Sequence, residues 1–429
     1  MESKNGNYMR QKIISNLFSS GVEKLFIVGI QFLSSIILIR LLPRDDYGVI
    51  GIVVGYFVFI NLINISLENI ILRDHKKFDE NLSDVMSSFF VFNIYKSLLF
   101  IVIAFILSFV LSSYYDNSNF IYAIWSLTFI MIASSITAPF TIYFASKFNQ
   151  KLVTKISIIR SLMAFILLFG LFISPTLYYI ALKDFIVSIV FISIWIYLAY
   201  KKLDFKISFK KPDFNFLLKT FLTYSLWTHL SGSISNFIYK SDTLFLSFFI
   251  GFAVIGDYNI SLNSANIANI LPMIIGYQNS IALSNCNNEE EQSKVVKSFL
   301  VLSVLTSFIT LFFYYFLGEL YLKLITGQEN NESIYFYMMC IVLSLTLIKS
   351  IGNNIDSTIR MLSNNQKYFF SVFVPIFIFT IIIYFYSSYF YGAKGIAISN
   401  VIVAVLWIIL LILHLYKIRL LKLYIKGVK

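Results

Sequence analysis

Apolar residues come along this chain in runs of roughly 20–30, parted by short clusters of Gly, Pro, Asn and charge. An α-helix crosses a bilayer with about 20 apolar residues, whereas a barrel strand uses about 10 that alternate in polarity. The pattern predicts helices near 12–42, 47–73, 85–113, 120–146, 152–174 and 178–200. A second set follows near 216–250, 256–284, 294–318, 333–361, 366–388 and 393–416. The first and seventh exceed what a span needs, so they are expected to tilt, bend or protrude. The fold class expected is an all-α polytopic membrane protein of about twelve transmembrane helices.

Composition narrows the class further. Of 429 residues, 58% are hydrophobic and 13% charged, against about 45–50% and about 25% in a soluble domain. A water-soluble core cannot absorb that excess, because its surface needs polar cover. The formal charge of +12 does not point to nucleic acid, since the basic residues sit at helix ends and in short loops. With the N-terminus in the cytoplasm, that side holds Lys76, Lys77, Lys147, Lys151, Lys201, Lys202, Lys210, Lys211 and the tail from Lys417 to Lys429. The other side keeps Arg40, Arg44, Lys323 and Lys394. Lys/Arg placement therefore predicts two cytoplasmic termini. Residues 1–12 are polar and lead into a run too long for a secretory leader, so no cleavable signal is expected. Cys286 and Cys340 lack CxxC spacing, and no metal site, redox site or disulfide framework is expected of them.

The basic segment KKLDFKISFKKPDFN (201–215) splits the chain near its middle. Residues 1–200 and 216–416 read as two six-helix bundles joined by this cytoplasmic linker, with a basic tail at 417–429. An internal match supports the division. "LLPRDDYGVI" (41–50) aligns with "FIGFAVIGDY" (249–258), and Gly48 falls on Gly256. Any short hairpin between two spans has some of this character, but the match joins helices 1–2 to helices 7–8, as a six-plus-six duplication requires. Two similar bundles with a site between them near the midplane form the layout of an alternating-access transporter.

Three segments carry a resemblance. "IRLLPRDDYGVIGI" resembles the helix 1–2 turn of polysaccharide-biosynthesis flippases, although Pro43 stands where a glycine–proline pair is usual. "SDTLFLSFFIGFAVIGDYNISLNSANI" is similar to their helix 7–8 segment, and "YGAKGIAISNVI" (391–402) to the opening of a late helix. The family is that of the Wzx-type flippases of lipid-linked oligosaccharides, in the superfamily that also holds the multidrug and toxin extrusion exporters and the lipid II flippases. The lipid II flippases carry two further helices, for which this chain has no room. The resemblance implies a bacterial cytoplasmic-membrane protein that moves an undecaprenyl-pyrophosphate-linked repeat unit from the inner to the outer leaflet. It implies as partners the polyprenyl-pyrophosphate-linked glycan, a polysaccharide polymerase and a chain-length regulator, besides membrane lipids.

Ionisable residues inside spans cost at least about 2.5–3.5 kcal/mol each on insertion scales, so they mark cavities and pathways. Lys183, Lys219, Glu68 and Asp184 lie near helix ends, where long side chains reach the interface. Lys24, Lys96, Lys240 and Lys349 lie deeper, and with Arg160 they are candidates for a substrate cavity. Lys240, Asn236, Ser233 and His229 fall on one helical face, spaced 4, 3 and 4. Lys240 and Asp242 differ by about 200° around the helix and cannot pair with each other; Asp242 is expected to face a neighbouring helix. Further polar faces are Asn259, Asn263, Asn266 and Asn269; Asn61, Asn64 and Glu68; Ser19, Glu23 and Gln31; and Lys349, Asn353, Asp356 and Arg360.

Such faces also arise from ordinary interhelical hydrogen bonding, but a packing interface does not welcome an unpaired ammonium. A lipid-linked glycan needs cations for its pyrophosphate and amides for its sugars. The substrate-cavity candidates are thus Lys24, Lys96, Arg160, His229, Asn236, Lys240, Asn263, Lys349 and Asn353. Glu23, Asp242 and Asp356 are candidates for coupling the cycle to H+ or Na+, or for salt bridges; no other cofactor is expected. A multidrug exporter of the same fold favours an acidic cavity, against the seven basic residues (Lys24, Lys96, Arg160, Lys183, Lys219, Lys240, Lys349) and five acidic ones (Glu23, Glu68, Asp184, Asp242, Asp356) read as intramembrane. A membrane polymerase or ligase would place catalytic groups in a sizeable loop or soluble domain, and neither is present. His75, His229 and His414 are scattered, with no nucleophile–base pair, so no enzymatic activity is expected.

Overall fold

The computed structural model describes residues 26–67, 82–147, 149–203, 207–209, 212–284, 286, 288–329 and 331–425. Every regular element among them is helical. Eight of the described helices are long and apolar enough to cross a membrane, and the protein is a multi-pass membrane protein. The chain divides into two compact units, Met1–Pro43 with Ile63–Leu226, and Arg44–Leu62 with Trp227–Lys429.

The first unit holds α1 (Phe26–Leu41); α2 (Arg44–Ile63) belongs almost wholly to the second. Then come α3 (Leu82–Tyr114), α4 (Asn119–Ser146), α5 (Gln150–Leu168), α6 (Leu177–Lys202) and α7 (Phe214–Thr220). Phe89 and Phe90 of α3, Phe140 and Phe144 of α4 and Trp195 of α6 form its core. The rings mesh at centroid distances of 5.3 Å for Phe90–Phe140 and 6.0 Å for Phe144–Trp195, within the range of favourable aromatic pairs.

In the second unit α8 (Leu226–Lys240) and α9 (Asp242–Ser247) succeed one another, with Ser241 between them. Next are α10 (Phe252–Ala265), a 3-10 turn at Asn266–Asn269 and α11 (Ile270–Ser284). The 38-residue α12 (Glu289–Thr326) starts on Asn288, whose Oδ1 accepts from Glu291 N at 2.9 Å. It stops at Gly327, which takes the left-handed conformation at φ 72°. A helix of that length reaches about 57 Å, well past the predicted 294–318. α13 (Glu332–Leu345) runs through a π turn (Thr346–Gly352) into α14 (Asn353–Leu362). α15 (Asn365–Tyr368) and a second π turn (Phe369–Phe373) lead to α16 (Val374–Lys417), which bends at Gly392, φ 57°. The predicted break between 388 and 393 is this bend.

The sequence reading counts α2 with the first six helices, but its packing places it with the C-terminal ones. The cause is one glycine face. A Cβ on Gly48 would lie 2.2 Å from the carbonyl oxygen of Phe252, and a Cβ on Gly256 would lie 2.2 Å from that of Arg44. A Cβ on Gly55 would lie 2.9 Å from the Cβ of Leu244. Thr243 Oγ1 donates to Gly51 O at 2.7 Å, which fastens α2 to α9. The two glycines that the internal match aligns therefore touch, each against the backbone four residues before the other.

The chain ends in a short return. Arg419 takes a left-handed conformation, φ 60°, which turns α17 (Lys422–Ile425) back onto α12 and α14. Leu423, 3% exposed, is buried there. Its carbonyl accepts from Ser293 Oγ at 2.7 Å, and Tyr424 Oη donates to Thr358 at 3.0 Å. Lys422 meets Glu289 at 2.6 Å, but both are well exposed. A buried leucine outweighs an exposed ion pair here. Leu423→Ala should cost about 2–3 kcal/mol and Lys422→Ala under about 1 kcal/mol, compared by thermal unfolding of the purified protein. A larger loss from Lys422→Ala would overturn that order.

Candidate functional site

The second unit encloses a cavity of about 380 Å³. α8 contributes Asn236, Tyr239 and Lys240, and α10 with its 3-10 turn contributes Asn259, Asn263, Asn266 and Asn269. Ile50, Gly51 and Val54 of α2, Lys349 of the π turn and Asn400 of α16 complete the polar and small surfaces that matter here. The asparagine row of α10 follows from its spacing: steps of four and three keep the amides on one face, and the 3-10 turn lets that face continue to Asn269.

The two lysines differ in setting. Lys240 ends α8 and is open to the cavity. The ammonium of Lys349 lies 3.9 Å from the ring centroid of Tyr239, a cation–π contact whose value grows as water is excluded. Neither lysine has a hydrogen bond or ion pair among the described residues. The nearby carboxylates are already engaged. Asp242, 1% exposed, accepts from Thr243 N at 2.8 Å, Tyr258 Oη at 2.9 Å and Asn400 Nδ2 at 3.4 Å. Asp356 accepts from Arg360 Nε at 2.7 Å and from the Tyr368 hydroxyl.

The structure brings together Asn236, Lys240, Asp242, Asn263 and Lys349 among the residues singled out from sequence. Asp242 does bond to neighbouring helices, as its angular position predicts, yet it also borders the cavity. His229 lies off the cavity lining and contacts the carbonyl of Leu62 through Nε2 at 2.9 Å. Asn353 packs toward Gly276 instead of the cavity. The π turn explains this departure: its extra residue rotates the following helix by about 100°, so Lys349 and Asn353 no longer share a face.

Two candidates sit in the first unit. Lys96, 5% exposed, donates to Ile65 O at 2.9 Å, where the chain leaves helical geometry after α2. Its charge stabilises carbonyls freed by the helix end. The predicted helix 47–73 in fact stops at Ile63, so Asn61 and Asn64 do not continue as a helical stripe. Arg160 lies 4.4 Å over the ring of Phe191. Lys24, Glu23 and Glu68 lie outside the described residues.

Sequence reasoning missed Tyr239, Asn400 and Tyr47. Asn400 was within reach, since it stands in "YGAKGIAISNVI" and donates to both Asp242 and Tyr258. Tyr239 adjoins Lys240, but nothing in the chain announces that Lys349 will rest on it.

The family model described as polysaccharide biosynthesis protein matches residues 37–335. A search of curated proteins finds no match. Among solved structures, the lipid II flippase MurJ in an inward closed conformation is similar with a TM-score of 0.68 and 12% identity, over 96% of this chain and 90% of that one. The MATE multidrug transporter DinF-BH in complex with R6G gives 0.64 and 13%, over 96% and 97%. An inward-facing multidrug resistance MATE family transporter of the MOP superfamily gives 0.62 and 12%, over 94% and 95%. The chain belongs to the polysaccharide biosynthesis protein family and has the fold of the MOP-superfamily transporters and flippases.

Proposed function

We propose that this protein is an alternating-access flippase that carries an undecaprenyl-pyrophosphate-linked oligosaccharide from the inner to the outer leaflet of a bacterial cytoplasmic membrane. In this reading twelve helices span the bilayer and both termini are cytoplasmic. One observation carries it: an amide-lined cavity inside an apolar helical unit holds two lysines that make no ion pair among the described residues. Unpaired charge at such depth is costly, and an anionic, hydroxyl-rich substrate offsets that cost when it binds. The lipid tail can stay in the bilayer while the polar head crosses. A polymerase and a chain-length regulator would take the product on the outer side.

The test is genetic. Deleting the gene should abolish the surface glycan and cause lipid-linked units to build up inside the cell, and wild type should restore export where Lys240→Ala does not. An intact glycan with new sensitivity to cationic drugs would instead establish a multidrug exporter, like the MATE multidrug transporters of similar fold.

Coupling to H+ or Na+ falls to Asp242 in this scheme, with Asp356 held by its arginine. Asp242→Ala would strand the donors of Thr243, Tyr258 and Asn400 in a buried site, costing about 3 kcal/mol or more. Asp242→Asn keeps an acceptor oxygen and should fold normally while export loses its response to the ion gradient. Gradient-dependent export in the folded asparagine variant would place the coupling elsewhere.

A further inference from the structure

The amides of the cavity are not free to present either end. Asn259 Nδ2 donates to the carbonyl oxygen of Tyr47 at 2.9 Å. Asn263 Nδ2 donates to the Tyr47 hydroxyl at 3.0 Å and to the carbonyl oxygen of Asn259 at 3.0 Å. A main-chain carbonyl only accepts, so each amide must turn its nitrogen toward that partner, and chemistry alone fixes the orientation. That leaves Asn263 Oδ1 and one N–H of Asn259 without a partner among the described residues, while Asn259 Oδ1 lies 3.5 Å from Asn263 Nδ2. Asn269 Nδ2 donates to Asn266 Oδ1 at 3.2 Å, which occupies that oxygen, and Asn269 Oδ1 is buried away from the cavity space.

The cavity thus offers two kinds of group. α10 supplies neutral amides held in place by Tyr47, with Asn263 Oδ1 free to accept. Lys240 and Lys349 supply cations that make no ion pair among the described residues, Asp242 and Asp356 being bonded to other donors. Four ligand classes can be compared with this pattern. An organic cation suits the oxygens but is repelled by two ammonium groups. A bare phosphate or pyrophosphate suits the lysines but sets its lone pairs against the amide oxygens. A neutral sugar donates to the oxygens and accepts from the lysines through its hydroxyls, but leaves their charge uncompensated. A sugar that bears an acidic group satisfies both, donating hydroxyls to the amides and accepting from the lysines.

We propose that this cavity is a subsite for one acidic sugar residue of the transported glycan, and that Tyr47 is a positioning residue that sets its polarity by holding the amides of Asn259 and Asn263. The proposal rests on the reading that the cavity receives the transported substrate. Tyr47 touches no sugar in this arrangement. It acts through the two asparagines, from the first turn of α2.

The experiment uses the full-length protein in lipid nanodiscs and saturation-transfer NMR with glucuronate, glucose and inorganic pyrophosphate as probes. Glucuronate should bind at least about tenfold more tightly than glucose, the range of a hydrogen bond to a charged group. Lys349→Gln should bring glucuronate down to the level of glucose. Tyr47→Phe removes only the hydroxyl that holds Asn263, and should weaken glucuronate about fivefold, the worth of one neutral hydrogen bond. It should leave pyrophosphate unchanged, which a general loss of structure would not do. Equal binding of glucose and glucuronate overturns the proposal. So does pyrophosphate binding more tightly than glucuronate, or the absence of any signal from protein that unfolds cooperatively on heating. The gene deletion separates the two readings. Glycan loss without glucuronate preference removes the subsite alone, whereas glucuronate preference with an intact glycan removes the flippase and leaves the site.

Discussion

Gly48→Ala is expected to lower the thermal midpoint of the purified protein by about 5 °C or more. The added methyl would lie 2.2 Å from the Phe252 carbonyl oxygen, and that obstacle is backbone, which cannot swing aside as a side chain can. Overpacking typically costs about 1–3 kcal/mol, and separating α2 from α10 also stretches the bonds from Asn259 and Asn263 to Tyr47. About 3 kcal/mol corresponds to several degrees at this scale. Gly256→Ala should do the same, because its methyl meets the Arg44 carbonyl oxygen at 2.2 Å. The double variant should lose less than the two single losses added together, since one methyl already parts the helices. Gly232→Ala is the control. Its Cβ would meet nothing within 4 Å, and alanine gains about 1 kcal/mol over glycine in a helix. Additive losses at Gly48 and Gly256 would show that the helices do not separate as one step.

Lys349→Met should move stability and transport in opposite directions. Removing an ammonium that makes no ion pair among the described residues relieves part of the roughly 2.5–3.5 kcal/mol that a lysine costs at depth. A midpoint at or above wild type is expected, together with glycan export reduced about tenfold or more, as befits loss of a charged contact. The cation–π contact with Tyr239 tempers the gain but does not reverse it, being worth about 0.5–2 kcal/mol. Such a trade of stability for function is common at sites that bind polar ligands. A variant that is both less stable and fully active would mark Lys349 as a structural residue.

Much of the helical layout was legible in the chain. α4 lies within one residue of its predicted range, and α12, although longer, contains its own. Apolar run length reports helices in a bilayer directly. The asparagine face of α10 was legible too, because its spacing survives the change to a 3-10 turn. Other features were not. The π turn at Thr346–Gly352 rotated Asn353 away from Lys349, and a bulge of this kind leaves no mark in polarity. The stop of α2 at Ile63 was hidden because Asn61, Asn64 and Glu68 keep a helical spacing across it, and Lys96 attends to it from another helix. The role of Tyr47 depends partly on a main-chain carbonyl, a group every residue possesses. Side-chain identity can announce a lysine in a membrane, but not which backbone oxygen will orient its neighbours.

The contact between Gly48 and Gly256 has a bearing on descent. The displacement along the chain that carries Gly48 onto Gly256 also carries Arg44 onto Phe252, and each glycine lies against the other's upstream partner. A half-length ancestor that paired with its own copy would have met itself at this one position, on a dyad where a single codon served both sides. Fusion of two such copies would have freed each side to change. One turn further on, the same displacement carries Gly51 onto Asn259, whose side chain now stands 3.0 Å from where a Cβ on Gly51 would be. There the like pair has become a small residue and a large one. The large one is an asparagine that lines the cavity, so an asymmetry of this kind supplies a group to the site that an exact homodimer would have lacked the room to hold.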